Sequence, residues 1–501
     1  MKKILVSTSL FTALLVGGLL LLNQNKTLDL VIVHTNDHHG YCWANDQNQG
    51  GFAKQLTIIK KIRSENKNVF VLSGGDINTG APESDLNLGE PSFKGMNLLG
   101  FNAMTPGNHE FDNPLTLLKQ QGAWATFPFI STNVYDKTTK SRLFQPFLLQ
   151  EINGLKIAIL GFTTTDSAYI SNVNVIKDIE FKNASEEARK VVDELKGQVD
   201  FFIAMSHLGF YPDGTLEIQE SGDTTLAKNI PELSVIVGGH NHNLLEQPVQ
   251  ENNALILQAK HFAQYLGELH LKIDKHTKKI KNYEYIMHKL DENIPEDPEM
   301  LSFLKPWLDK AAVLMKEPLG TSKVVLDGIR ENVRSGETNL GNLVTDAFRD
   351  LTKADVAIHN GGGIRASMNQ GTITFGDIRR SFPFNNTIVT LNLTGSELLE
   401  VLNRSASLPR PAGGFLQVSG IKMTIKDNHI QDVLINGAPL DGNKVYSVAA
   451  NDFTANGGDG YEMLKDKKKI DSGYIISGAL KQYILTKKAI SPQIEGRIKF
   501  N

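Results

Sequence analysis

At 501 residues the chain is longer than one hydrophobic core usually organises, so two domains are expected. With 41% hydrophobic and 21% charged residues it reads as a globular protein, neither disordered nor membrane-embedded, and a net charge of −3 without a basic stripe gives no reason to expect a nucleic-acid polymer as partner. The single cysteine, Cys42, excludes an intrachain disulfide and a cysteine-based zinc site.

Lys2 and Lys3 precede an uncharged, mostly apolar run from Ile4 to Leu22, which ends in polar Asn23-Gln24-Asn25-Lys26. That is the layout of a secretory signal. The run also approaches the length of a membrane span, and no good small-x-small cleavage site follows it, so residues 1–26 are read as a signal peptide or a retained N-terminal anchor. Either alternative places the body of the protein in the periplasm or the extracellular space, with membrane contact only if the segment is retained.

Leu28 to His34 is a β-branched run with the look of a buried strand, and it feeds a loop opening Asn36-Asp37-His38-His39. Asp37 and His39 are two apart, so in extended backbone their side chains project to the same side. A helix is expected over Phe52–Asn66. Asn68–Leu72 reads as a second strand ending in Ser73-Gly74-Gly75-Asp76, where the glycines permit a sharp turn that leaves the Asp76 carboxylate at the strand end. A helical segment near Phe93–Leu99 and a short strand at Ala103–Met104 lead to Gly107-Asn108-His109-Glu110-Phe111-Asp112. Asn108 can ligate a cation through its amide oxygen, while His109 can stand free of the metal with Asp112 close enough to orient it. Residues 155–161 and 200–205 read as further strands, the second delivering Ser206-His207, and residues 233–237 deliver Gly238-Gly239-His240-Asn241-His242.

For any one histidine the plainer reading is a surface or satisfied core residue. Here the argument is recurrence: five strand ends carry Asp, Asn or His just past their carboxyl ends, which predicts an α/β sheet with a site along one edge. The order Asp-x-His, Gly-Asp, Gly-Asn-His, His, Gly-His-x-His resembles the calcineurin-like metallophosphoesterase superfamily, and Glu110-Phe111-Asp112 with Asn113-Pro114 narrows the resemblance to its 5'-nucleotidase branch.

From Asp291 to Lys316, Pro- and charge-containing sequence gives way to a helical apolar pattern over Glu299–Met315, read as a connecting helix that Pro306 should kink or begin. Beyond it, Arg330 and Arg334 are four apart, and Asn360-Gly361-Gly362-Gly363-Ile364-Arg365 forms a Gly-rich turn. Phe382-Pro383-Phe384-Asn385-Asn386 is another loop, and Asn451-Asp452-Phe453 leads to Gly457-Gly458-Asp459-Gly460. Alone, a Gly-rich turn is usually just a turn and a basic pair a solvated face. Together, three arginines, two loop aromatics and a loop carboxylate suit a nucleotide: stacking for the base, cations for phosphate, a carboxylate for ribose hydroxyls. The candidate substrate set is Arg330, Arg334, Asn360, Arg365, Phe384, Asn386, Phe453 and Asp459.

This set resembles the 5'-nucleotidase C-terminal domain, so the resemblance spans essentially the whole mature chain. Ser73–Asp85 and Gly107–Leu115 look especially similar to the bacterial periplasmic 5'-nucleotidase/UDP-sugar hydrolase branch. That branch has Gln at the position of His242 and a disulfide that one cysteine cannot supply. The resemblance implies a two-domain α/β (α+β) protein: residues 27–296 as a four-layer α/β-β/α metallophosphoesterase sandwich, 297–318 as the connecting helix and 319–501 as the nucleotide-binding domain. It implies two divalent ions, one held by Asp37, His39, Asp76 and His242, the other by Asp76, Asn108, His207 and His240, with Asp76 bridging. Ligands without thiolate suit Zn, Mn or Co. His109, steered by Asp112, would stabilise charge on the transferring phosphoryl group or leaving oxygen.

The expected activity is hydrolysis of nucleoside 5'-phosphates by a monomer, with nucleoside di- and triphosphates and UDP-sugars as candidate further substrates. Its rivals are a 2',3'-cyclic-nucleotide phosphodiesterase with 3'-nucleotidase activity and a non-catalytic nucleotide-binding surface protein.

Overall fold

Strand β1 (Thr27–Thr35) is apolar on both faces, and each face meets a different core. Leu28, Leu30 and Ile32 point to one side; Val31 and Val33 point to the other. A strand buried on both sides belongs inside a layered structure, and that is where it lies. The computed structural model describes residues 26–45, 47–171, 173–211, 222–384 and 386–501. The segment read as a signal or anchor falls, apart from Lys26, outside the described residues. Among the described residues no helix is long and apolar enough to cross a membrane.

β1 pairs in parallel with β2 (Val69–Ser73), which pairs in parallel with β3 (Ala103–Met104). A second sheet is built on the parallel strands β4 (Leu155–Thr163), β5 (Phe201–His207), β6 (Leu233–Val237) and β7 (Ala254–Leu257), with antiparallel strands at both edges. The first sheet is completed by β8 (Tyr265–Asp274), antiparallel to β1, and β9 (Lys279–Lys289). Between the two sheets, Leu30, Ile32 and Leu72 pack with Ile157, Ile159, Ile203 and Val235. The outer face of the first sheet is covered by α1 (Phe52–Glu65) and α3 (Glu90–Leu99), separated by the short α2 (Pro82–Asp85). The outer face of the second sheet is covered by α4 (Ala184–Glu194) through Ala184, Ala188, Val191 and Val192. The result is the expected four-layer α/β-β/α sandwich.

Two readings need correction. The polar strand ends lie along two facing sheets rather than one, because periodicity shows that a strand is buried but not which strand it pairs with. The connecting helix α5 (Pro298–Met315) does not begin at Pro306, which lies inside it. Asp297 Oδ1 accepts the amides of Glu299 and Met300, which sets the true start. Met300 and Leu304 then bury the first turns against α1 and α3, offsetting the hydrogen bond that Pro306 cannot make.

The second domain has separate apolar cores, beginning at Leu319. After α6 (Asn339–Thr352), its central sheet contains β10 (Val356–Asn360), β11 (Thr387–Thr394), β12 (Leu416–Ser419), β13 (Val445–Asn451) and β14 (Lys469–Ile475), in the order β12-β10-β13-β11-β14. The helix α7 (Phe375–Ser381) leads into the Phe384 loop. β10 and β13 run parallel, so Asn360 and Asn451 emerge side by side at their carboxyl ends.

Candidate active site

In the first domain, the candidate metal residues sit at or just past the carboxyl ends of parallel strands. Asp37 and His39 follow β1, Asp76 follows β2, Asn108 follows β3, His207 ends β5, and His240 and His242 follow β6. Asp37, His39, Asp76, His240 and His242 all have φ between +50° and +87°. That region is uncommon for residues with a Cβ and concentrates at sites where the surrounding structure fixes it. Gly107 meets a different need: a Cβ there would run into the Asp76 carboxylate and the His207 ring.

The structure gathers all seven residues. His207 Nε2 lies 3.1 Å from Asp76 Oδ2 and 3.2 Å from Asn108 Oδ1. His240 Nδ1 lies 3.0 Å from the same Asn108 oxygen. On the other side, His39 Nε2 is 3.1 Å from His242 Nε2 and 3.9 Å from Asp76 Oδ2, and His242 Nε2 is 3.5 Å from Asp37 Oδ1. Asp37 is more central than the sequence suggests. It groups both with His39 and His242 and with Asp76 and His207, ligand atoms in each group lying within 4.8 Å of one another.

This donor set fits divalent cations. His39 Nδ1–H donates to the Thr79 carbonyl at 2.9 Å and His207 Nδ1–H to the Gly74 carbonyl at 2.6 Å, which leaves each Nε2 facing the cluster. Burial, reinforced by His109, holds His39 well below the ordinary imidazole range; burial, reinforced by Arg365, does the same for His242. Burial and the neighbouring His207 bring His240 down to about 4. Two neutral imidazoles whose Nε2 atoms face each other at 3.1 Å need a cation or a shared proton between them. His207 differs: burial opposes its charge, but the Asp76 carboxylate outweighs that and raises it to about 10.

His109 faces the cluster without pointing its hydrogen-bonded edge into it. Its Nδ1 donates to Asp112 Oδ2 at 2.6 Å, and its Nε2 lies 3.9 Å from Asp76 Oδ2. Burial opposes charge on this ring, yet the Asp112 and Asp76 carboxylates outweigh it and raise the imidazole above its usual range. Glu110, quoted in the motif but given no role by it, accepts four backbone amides: Asp76 at 3.0 Å, Ile77 at 2.9 Å, Asn78 at 3.1 Å and Gly107 at 2.7 Å. It fastens the β2 loop to the β3 loop. Asn36 likewise donates to Asp37 Oδ2 at 2.5 Å and to the Lys260 carbonyl at 2.6 Å.

The second domain supplies the opposite wall of one cleft of about 320 Å³, lined by Asp76, Asn108, His109, His240 and His242 on one side. Arg330, Arg334, Arg365, Phe384, Phe453 and Asp459 line the other, with Asn360 and Asn386. None of the three arginines is ion-paired among the described residues, and Arg334 Nε is buried without a partner. Burial, then its neighbour Arg330, lowers Arg334 well below the usual guanidinium range and Arg365 to about 10. Three crowded guanidiniums facing a cavity, none held in a direct ion pair among the described residues, suit an anion. Asn360 Nδ2 donates to Asp459 Oδ2 at 2.7 Å, and Asn451, which the sequence reading passed over, donates to Asn360 Oδ1 at 2.9 Å. Asn386 donates to Asp452 at 2.8 Å.

The two aromatics are not equivalent. Phe384 stacks on His109, ring centroids 5.6 Å apart at 25°, with the Arg365 guanidinium 5.6 Å from its centroid. Phe453 instead lies over Gly458, where an added Cβ would come within 2.6 Å of the ring.

A family model for the calcineurin-like phosphoesterase matches residues 30–244, and one for the 5'-nucleotidase, C-terminal domain matches residues 318–466. The chain is 37% identical over 503 residues to the protein UshA of Escherichia coli (strain K12), covering 92% of each. It is 38% identical over 501 residues to the 5'-nucleotidase of Vibrio cholerae serotype O1, covering 92% of this chain and 91% of that one. Its fold matches the crystal structure of the 5'-nucleotidase precursor from Thermus thermophilus with a TM-score of 0.82 at 30% identity, covering 94% of this chain and 99% of the other.

Proposed function

The chain belongs to the 5'-nucleotidase family, and from that premise we propose that it hydrolyses nucleoside 5'-phosphates to nucleoside and phosphate, using two divalent ions at the Asp76 end of the cleft. Asp37, His39, Asp76 and His242 would hold one ion; Asp76, Asn108, His207 and His240 would hold the other, with Asp76 shared. Carboxylate, amide and imidazole donors without thiolate suit Zn, Mn or Co. Such ions supply an acidified water as nucleophile and positive charge for the phosphoryl oxygens.

The chain's own groups do the rest. His109, its Nδ1–H held by Asp112 at 2.6 Å, presents Nε2 toward the cleft to neutralise charge on the phosphoryl group or the leaving oxygen. Arg330, Arg334 and Arg365 attract phosphate or ribose oxygens, Asp459 accepts from ribose hydroxyls, and Phe384 and Phe453 offer ring faces to the base. On this reading residues 27–296 carry the phosphoester chemistry, 297–318 connect, and 319–501 hold the nucleoside. Closure about α5 brings the two halves together. Export by the N-terminal segment and a monomeric state belong to the same proposal.

The observation that carries it is the single cleft with a metal-type cluster on one wall and unpaired guanidiniums and aromatic faces on the other. The test is phosphate release by metal-stripped protein with Zn, Mn or Co restored singly, on 5'-AMP, ATP and UDP-glucose beside 3'-AMP and cyclic 2',3'-AMP. Restored turnover with 5'-AMP preferred is expected. Preference for 3'-AMP or the cyclic ester would favour the phosphodiesterase, and nucleotide binding without turnover of any ester would make the protein a binder.

A further inference from the structure

The last turn of α7 crosses to the other domain. Arg379 is only 5% exposed, yet its charge is not left in apolar surroundings. Nη2 donates to the Pro383 carbonyl at 3.0 Å, and Nη1 reaches Ser477 Oγ at 3.4 Å. The guanidinium also lies 4.0 Å from Asp85 Oδ2, on α2 of the metal-bearing domain. Beside it, Arg380 Nη2 stands 3.5 Å from Glu83 Oε1, a more exposed crossing that contributes little alone.

Both ends of the Arg379 contact lead to the site. Pro383 immediately precedes Phe384, whose ring rests on His109. Asp85 Oδ2 accepts the Gly80 amide at 3.1 Å, and the carbonyl one residue earlier, on Thr79, accepts His39 Nδ1–H at 2.9 Å. One guanidinium therefore sits between the loop that presents an aromatic face to the nucleotide and the loop that fixes the tautomer of a candidate ligand. The Pro383 carbonyl and Ser477 already give the guanidinium partners within its own domain. The reach to Asp85 is additional.

We infer that Arg379 is a positioning residue that couples seating of a nucleoside at the Phe384 loop to the setting of His39 through Asp85 and the Thr79–Gly80 turn. Phosphate esters bearing a nucleoside then meet a better-arranged metal site than small esters that leave the Phe384 loop untouched. This rests on the 5'-nucleotidase reading.

The test compares full-length metal-loaded wild type with Arg379→Leu, Arg379→Lys, Asp85→Asn and the Arg379→Leu/Asp85→Asn double variant. kcat and KM are measured on 5'-AMP and on a small aryl phosphate, and amide exchange over residues 79–85 is measured without substrate. Coupling between sites typically spans about 5–150-fold, so each single loss is expected to lower kcat/KM for 5'-AMP by about tenfold, with the double variant no worse than the poorer single. The aryl phosphate should stay within about twofold, Arg379→Lys should recover part of the loss, and Arg379→Leu should raise exchange at residues 79–85. Effects that multiply in the double variant, equal losses on both esters, or exchange raised only within α7 would each overturn the coupling. If Arg379→Leu does not fold, the near-isosteric Asp85→Asn and the Arg379→Lys variant carry the same comparison. Wild type that hydrolyses the aryl phosphate but not 5'-AMP would refute the nucleotidase reading instead, and the exchange measurement would still decide the coupling.

Discussion

Asp76 Oδ1 accepts the backbone amide of His109 at 2.9 Å, so the carboxylate at the centre of the candidate metal cluster is tied to the residue proposed to face the phosphoryl group. Its other oxygen is 3.1 Å from His207 and 3.9 Å from His39, one candidate ligand from each ion's set. Asp76→Asn is therefore predicted to be worse than loss of a terminal ligand such as His242→Ala. Metal content and kcat for the two variants decide: an Asp76→Asn protein that keeps two ions and most of its activity refutes the shared position.

His109→Ala should keep both ions and nearly the wild-type KM while losing kcat by about 10²–10³, the usual cost of one group acting on the transition state. The ring's Nδ1 is engaged by Asp112, which fixes its orientation without drawing it into the ligand set. Metal analysis is the check. An ion missing from the variant would make His109 a ligand, a possibility its grouping with His39 and Asp76 keeps concrete.

Glu110→Gln removes the acceptor for part of a four-amide cradle and turns an NH₂ group toward buried donors. Leaving such a donor unsatisfied costs about 1–3 kcal/mol, and disturbing a group that orients ligands typically lowers metal affinity by about 10–100-fold. Competition with a chelator should show the affinity loss, alongside a lower melting temperature. Unchanged metal affinity in the folded variant would mean that the two ligand loops hold their positions without this carboxylate.

Much of the site was legible because Asp, Asn and His interrupt β-branched runs at the same point, just past the strand end. Even the two-residue strand Ala103–Met104 was visible, since the chain has little room between α3 and Gly107. Strand pairing was not legible: β1 and β5 are similar apolar runs, and only tertiary packing assigns them to facing sheets. Glu110 was overlooked for a different reason, since its partners are backbone amides, which every sequence supplies. Phe384 against His109 and Arg379 near Asp85 are contacts across the domain boundary between residues hundreds of positions apart, and no local pattern encodes them.

Phe453 yields the sharpest test of the proposed nucleoside wall. It is partly exposed and lines the cleft, and its ring position depends on Gly458 lacking a Cβ, since one placed there would come within 2.7 Å of three ring atoms. Gly458→Ala should therefore push the ring aside without deleting it, and Phe453→Ala should remove it. Stacking a base on an aromatic is worth roughly 1–3 kcal/mol and tolerates any base, because every base has a π-face. Both variants are predicted to raise KM for all nucleoside monophosphates by similar factors, by about 5–150-fold for Phe453→Ala. Hydrolysis of a small aryl phosphate, which requires only the metal end of the cleft, should change little. If the ring instead serves mainly as packing for the Asp459 loop, both variants would melt markedly lower and lose every activity in proportion. Kinetics on 5'-AMP, 5'-GMP and an aryl phosphate beside melting curves separate the two, and a large fall in melting temperature without a nucleotide-specific rise in KM rules out the stacking role.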